Sequence, residues 1–269
     1  MRQFLLPPDL PFPAVGDRVS LDPAESRHLV RVLRARPGAT VHLTDGRGRR
    51  CLARVATADP AAAALVVVAV AEDRDEIGPP HLVLACGIVR EQRFAWALEK
   101  AVELGVHHVV PLLTARGLVR PRGNKLERWR RHLAEAVKQS GRAWLPELAD
   151  PLPLADWLSG LTGTVVLYGL ARLRDGTAGE EPPVDTWWEA AELGDRLTGG
   201  PGHHTAASWA WVVGPEGGWR DDEVALLARH GRAVRLGPHR LRTETAAATG
   251  LVWLAAARER LLSMARPPR

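Results

Sequence analysis

Two short stretches near the C-terminal end of the chain carry residue types from which a cofactor pocket can be built. The first is Gly214-Pro215-Glu216-Gly217-Gly218, directly after the apolar run Trp209 to Val213. The second is Leu236-Gly237-Pro238-His239-Arg240-Leu241-Arg242-Thr243-Glu244-Thr245-Ala246. Glycines at 217 and 218 allow close backbone approach, so a flat adenine or ribose can lie against amide and carbonyl groups with no side chain between. No Lys-Ser/Thr follows the first stretch and its glycine spacing is not that of a dinucleotide turn, which argues against phosphate cradling. Each stretch alone also has a plain structural reading, as a tight turn and as an N-capped helix start.

Both stretches fall where a buried strand ends and a helix begins, the edge at which open α/β sheets bind ligands. Continuous apolar runs at His81 to Ile88, Val106 to Pro111, Thr164 to Tyr168, Ser208 to Val213 and Ala233 to Leu236 predict strands covered on both faces. Between them, Phe94, Leu98, Ala101 and Val102 recur at helical spacing up to Gly105, and a helix carrying Leu126, Trp129, Leu133 and Val137 runs from a cap at Asn124 to Gly141. Such alternation predicts an α/β fold with a mainly parallel sheet and helices on both faces. Residues 1–72 have a different rhythm, with short apolar runs broken by Gly and Asp, and predict a small β-barrel. One helix interrupts it, from about Asp22 to Arg34, with Leu29, Val32 and Leu33 inward and Arg27, Arg31 and Arg34 on one outer face. Residues 73–80 are a linker and 81–269 the second domain.

Net charge is +5 and the pI is near 10.0. Only Lys100, Lys125 and Lys138 are lysines, so arginine carries the excess. Arginine binds phosphate in a bidentate way and stacks on bases, which favours an RNA partner; codon bias in a GC-rich genome would raise the same count. Placement is more telling. Arg90 to Arg142 holds twelve basic residues against five acidic, whereas Arg172 to Thr205 holds seven acidic residues against three arginines. A basic face beside an acidic insertion (about 171–205, with a short helix around Trp187 to Leu193) suits polyanion binding at the former.

Cys51 and Cys86 have no metal-ligand spacing, and no disulfide framework is supported. His107 and His108 sit beside a buried strand without further ligands at useful spacing, which favours packing over metal binding. No window approaches the length of a membrane helix and the N-terminus lacks a signal-like apolar segment, so a cytoplasmic protein with no membrane association is expected.

The two glycine-containing stretches, with Glu103-Leu104-Gly105-Val106 leading to Pro111 and Ala136-Val137-Lys138-Gln139-Ser140-Gly141-Arg142 leading to Pro146, resemble the RsmE family of 16S ribosomal RNA (uracil-N3) methyltransferases. Arg27-His28-Leu29 and Val32-Leu33-Arg34 resemble that family's RNA-binding domain. The resemblance spans nearly the whole chain. It implies a PUA-like barrel followed by a SPOUT α/β domain with a C-terminal trefoil knot, in the region about 164–260. It also implies S-adenosylmethionine as cofactor, held among Tyr168, Gly169, Leu170, Gly214, Pro215, Glu216, Gly217, Gly218, Leu236, Gly237, Leu241 and Arg242, with Trp219 close by. A homodimer through the SPOUT domain is implied as well, assigning Ala247, Leu251, Leu254 and Ala255 partly to a partner.

On this resemblance Arg242 holds the carbonyl oxygens of uracil and Glu244 accepts the N3 imide proton, directly or through water. An internal Arg242–Glu244 ion pair is the alternative. Arg2, Arg27, His28, Arg31, Arg34, Gln139 and Arg142 are the expected RNA contacts, on 16S rRNA or the small ribosomal subunit. The chain departs from the family pattern at His239-Arg240 and at Arg220, where a Ser-type helix cap is usual. Competing readings are a SPOUT enzyme of other specificity, such as ribose 2′-O-methylation, and a knotted RNA-binding assembly factor without catalysis.

Overall fold

The computed structural model describes residues 3–7, 9–73, 78–121, 123–170, 184–186 and 206–265. Arg2, the proposed helix at Trp187 to Leu193 and most of the acidic insertion lie outside the described residues. The chain divides into two compact units, Met1–Gly78 with Leu133–Leu145, and Pro79–His132 with Pro146–Arg269. The boundary at 78/79 falls inside the 73–80 stretch; the allocation of Leu133–Leu145 to the first unit has no counterpart in a linear division of the sequence.

In the first unit, strands β1 (Gln3–Leu5), β2 (Arg18–Ser20), β3 (Thr40–Thr44), β4 (Arg49–Thr57) and β5 (Ala64–Glu72) form one sheet in the order β1-β3-β4-β5-β2. β3, β4 and β5 are antiparallel neighbours, with register shifts at Leu52/Ala53 and Val55/Thr57. Such bulges bend a strand and increase its twist. The sheet covers a core of Phe4, Leu29, Leu43, Leu65 and neighbours.

Helix α1 (Pro23–Arg27) starts where Asp22 accepts from the backbone N–H groups of Ala24 and Glu25, with proline in its first turn. It continues as a π-helical turn, His28–Val32, in which Leu33 N–H donates to the His28 carbonyl. The wider turn breaks the α-helical face expected over 22–34. Leu29 is fully buried and Leu33 partly so, but Val32 is 65% exposed, and Arg34 lies beyond the helix at φ 51°. Arg27, His28, Arg31 and Arg34 are all exposed, although the last does not belong to a shared helical face.

The second unit has strands β6 (His81–Gly87), β7 (His108–Leu113), β8 (Glu147–Leu148), β9 (Leu152–Pro153), β10 (Thr164–Gly169), β11 (Val184–Thr186), β12 (Ser208–Val213) and β13 (Gly231–Arg235). Their order is β11-β13-β10-β12-β6-β7-β8, with β9 also on β7, and every pairing is parallel. The helices are α2 (Glu91–Glu103), α3 (Lys125–Ser140), α4 (Leu154–Ser159), α5 (Asp221–His230) and α6 (Thr243–Ala265); from Leu133 onward α3 is counted to the first unit. Of the expected strands, β6, β7, β10, β12 and β13 are found at or within a few residues of the predicted runs.

β13 follows β12 in the chain but pairs with β10 on the side away from β12, and α6 then packs back on β12, β6 and α2. That return needs close helix–sheet contact. At Gly250 of α6 an added Cβ would stand 2.0 Å from the Trp211 indole, so only glycine fits, while Trp211 Nε1 donates to the Ala246 carbonyl at 3.0 Å. Ala247, Leu251 and Leu254 are fully buried within the chain. Their expected assignment to a partner is therefore corrected: the wrapped-back helix uses that face for intrachain core, and Ala255 is only half-buried.

Candidate active site

The loops after β10, β12 and β13 leave the same C-terminal edge of the sheet, because all three strands run parallel. Leu170 N–H donates to the Val234 carbonyl at 3.2 Å, tying the loop after β10 to β13. Trp219 is buried; its Nε1 donates to the Gly169 carbonyl at 3.2 Å, and its indole lies against Gly214. Thr243 Oγ1 donates to the Gly214 carbonyl at 3.0 Å, joining the start of α6 to the glycine loop. Arg240 Nη2 donates to the Glu216 carbonyl at 2.5 Å. The two sequence stretches thus touch, and Arg240, a departure from the family pattern, is one of the links.

Within the first stretch, Gly218 has φ 71°, a conformation that side chains disfavour, and its N–H closes a turn onto the Pro215 carbonyl at 2.8 Å. Arg220 then precedes α5. Glu223 supplies its own half of a capping box, accepting from the Arg220 N–H at 2.8 Å; the acceptor that an arginine lacks comes from Asp222, whose Oδ1 accepts from the Glu223 N–H at 3.0 Å and whose carboxylate pairs with the Arg220 side chain. The absent Ser-type cap is replaced by this arrangement.

Tyr168 is buried, and burial pushes its hydroxyl above the usual phenol range. Gly169, Leu170, Gly214, Glu216, Gly218, Leu236, Gly237 and Leu241 are half-buried, Pro215 is buried and Gly217 is exposed. Arg242 is exposed, and its guanidinium makes no hydrogen bond or ion pair among the described residues. Glu244, by contrast, is 13% exposed in its side chain. It does not pair with Arg242, so the alternative of an internal pair between them is not what forms.

The partner of Glu244 is a residue the sequence reading did not single out. Arg93, in the first turn of α2, places Nη1 2.8 Å from Glu216 Oε1 and Nε 3.7 Å from Glu244 Oε1. Glu244 Oε2 is buried with no hydrogen-bond partner among the described residues. A signal for Arg93 was present: it follows β6, another parallel strand ending at the same edge. Cys86, near the end of β6, is fully buried, and its thiol is pushed up to about 12 by burial, with the charges of Glu244 and Glu216 adding to the shift.

The expected RNA contacts divide. Arg27, His28, Arg31, Arg34 and Gln139 face solvent. Arg142 is only 8% exposed, and its carbonyl accepts from Gln3 Nε2 at 2.6 Å in the first unit, so its side chain is not part of the exposed basic surface. His107 is buried, accepts from the Leu82 N–H through Nδ1 at 3.0 Å and stacks on His81, which is a packing arrangement.

Residues 77–255 match the RNA methyltransferase domain family, and residues 21–68 match the RNA methyltransferase PUA domain. The chain is 31% identical over 236 residues to ribosomal RNA small subunit methyltransferase E of Synechocystis sp., covering 87% of this chain and 71% of that protein. It is 32% identical over 248 residues to ribosomal RNA small subunit methyltransferase E of Mycobacterium bovis, covering 89% and 86%. A crystal structure of a ribosomal RNA small subunit methyltransferase E from Neisseria gonorrhoeae bound to S-adenosyl methionine superposes with a TM-score of 0.76 at 27% identity, covering 95% of this chain and 97% of that one. With a PUA-type unit before a SPOUT-type parallel sheet, and this level of identity along most of its length, the chain belongs to the ribosomal RNA small subunit methyltransferase E family.

Proposed function

We infer that this protein is an S-adenosylmethionine-dependent rRNA methyltransferase that modifies N3 of a uracil in 16S rRNA. The observation that carries the reading is the convergence of the loops after β10, β12 and β13, joined through Trp219, Thr243 and Arg240, beside a buried carboxylate with one oxygen unpartnered among the described residues. These residues fit the cofactor: Gly218 and Gly237 have open space where a side chain would stand, so an adenosine can approach the backbone there. Leu170, Leu236 and Leu241 supply half-buried apolar surface around them. When bound, the sulfonium cofactor supplies an already activated methyl group.

Uracil N3 is a poor nucleophile until its imide proton leaves. Glu244, through Oε2, takes that proton. Arg242, whose guanidinium has no partner among the described residues, holds the carbonyl oxygens on which negative charge develops. Arg27, Arg31 and Arg34 supply phosphate contacts, which position RNA without reading its sequence. The small ribosomal subunit or its rRNA is the macromolecular partner, and the cytoplasm the expected compartment; no described helix is long and apolar enough to cross a membrane. The return of α6 onto β12, with Thr243 bonded to the glycine loop, supports the reading of a trefoil knot in this region. In a homodimer, exposed Val252 and Met264 of α6 are the apolar residues available to a second copy.

Nucleoside analysis of 16S rRNA from a deletion strain tests the substrate. Loss of N3-methyluridine, restored by the purified protein with S-adenosylmethionine, is expected. Undiminished N3-methyluridine would refute the base specificity, and no calorimetric binding at millimolar cofactor would refute the enzyme assignment itself.

A further inference from the structure

Arginine in the first turn of a helix is opposed by the helix macrodipole, so the local energetics of α2 do not explain Arg93. Its environment does. Glu216 comes from the glycine loop after β12 and Glu244 from the first turn of α6, where a carboxylate is favoured. One guanidinium reaches both, through Nη1 at 2.8 Å and Nε at 3.7 Å. The first contact is a charge-assisted hydrogen bond; the second is an ion pair too long to be one.

An unpartnered carboxylate oxygen alone does not mark a functional group, since Glu91 pairs with Lys125 and Arg128 and leaves Oε1 buried without a partner among the described residues; Glu244 differs in following Thr243, whose hydroxyl is bonded to the glycine loop. Here Arg93 faces Oε1 of Glu244, and Oε2 is buried with no partner among the described residues. Such an oxygen is costly unless a donor from outside the chain meets it. The imide N–H of the acceptor base is such a donor. We propose that Arg93 is a positioning residue for methyl transfer: by gripping Glu216 and Glu244 together, it orients the Glu244 carboxylate so that Oε2 meets the N3 proton. This rests on the reading of Glu244 as proton acceptor. The grip also registers the carboxylate against the glycine loop that holds the cofactor.

The test uses the full-length protein with unmethylated small subunits, comparing Arg93→Gln, Arg93→Lys, Glu244→Gln and the Arg93→Gln/Glu244→Gln double variant. Arg93→Gln is expected to lower kcat about 10²-fold, the scale of a small misplacement of a reacting group. Calorimetric affinity for S-adenosylmethionine and KM for the subunit should stay within about threefold, as expected when only a transition-state interaction is lost. Arg93→Lys should recover part of kcat, and the double variant should be no slower than Glu244→Gln alone. Unimpaired kcat in Arg93→Gln, cofactor affinity falling as far as kcat, or fully additive losses would each overturn the proposal. Glu244→Gln at full rate would instead remove the proton-acceptor reading on which it rests. Should Arg93→Gln not fold, judged by circular dichroism, Arg93→Lys carries the same split between kcat and affinity, with a smaller loss of kcat.

Discussion

The guanidinium of Arg240 donates to the backbone carbonyl of Glu216 at 2.5 Å, so a side chain from the loop after β13 closes directly on the backbone of the glycine loop after β12. Arg240 is otherwise exposed, and a solvent-screened contact of this kind is worth roughly 1 kcal/mol. Arg240→Ala should therefore weaken S-adenosylmethionine binding by about fivefold while leaving the thermal midpoint nearly unchanged. Isothermal titration calorimetry reads the first quantity; wild-type affinity in the variant would show that the link does not shape the pocket.

Gly250→Ala is expected to destabilise the protein by about 3 kcal/mol, because the added methyl meets the indole of Trp211 and forces α6 away from β12. The same movement strains the bond from Trp211 Nε1 to Ala246. A urea titration should show a lower midpoint with an unchanged slope, and an unshifted midpoint would contradict the packing.

The two cysteines set an alkaline limit. Burial pushes Cys51 up to about 11 and Cys86 to about 12 from a reference of 9.0, so the folded state holds thiol protons that the unfolded chain gives up first. Their contribution is fully present below pH 9.0 and is lost as pH rises through 11 and 12. In that window each group adds a slope of about 1.4 kcal/mol per pH unit. Cys51→Ala and Cys86→Ala should each flatten the decline in stability measured by denaturant titration above pH 9.0. Thiol reagents should label neither cysteine before unfolding, and rapid labelling of the native protein would contradict the burial.

Replacing Arg27, Arg31 and Arg34 by alanine together should weaken rRNA binding and leave cofactor affinity unchanged. If all three touch phosphate, the dependence of log affinity on log salt should fall by about 2. Filter binding across a salt series measures this; an unaltered slope would place the RNA elsewhere.

Much of the sheet was legible because strands buried on both faces leave continuous apolar runs, as in His81 to Ile88 and Ser208 to Val213. The glycine loop and the start of α6 were legible for a related reason, since unusual backbone demands unusual residues. The π-helical turn at His28–Val32 was not, because a single wide turn leaves no periodicity in the residues it rotates, and Val32 ends up in solvent. Arg93 escaped for another reason. A charged residue in a helix's first turn reads as ordinary surface until folding brings Glu216 and Glu244 to it. Ala247, Leu251 and Leu254 showed an apolar face correctly, but no sequence pattern says whether such a face meets its own chain or a second one.

The order of the strands has a consequence for how this protein is made. β13 takes its place beside β10, and α6 then packs back on β12, β6 and α2, so strands drawn from the whole second unit are covered by a helix that follows all of them in sequence. Strands β6, β10 and β12 can pair as they leave the ribosome, but the contact between Gly250 and the Trp211 indole waits until α6 has been made.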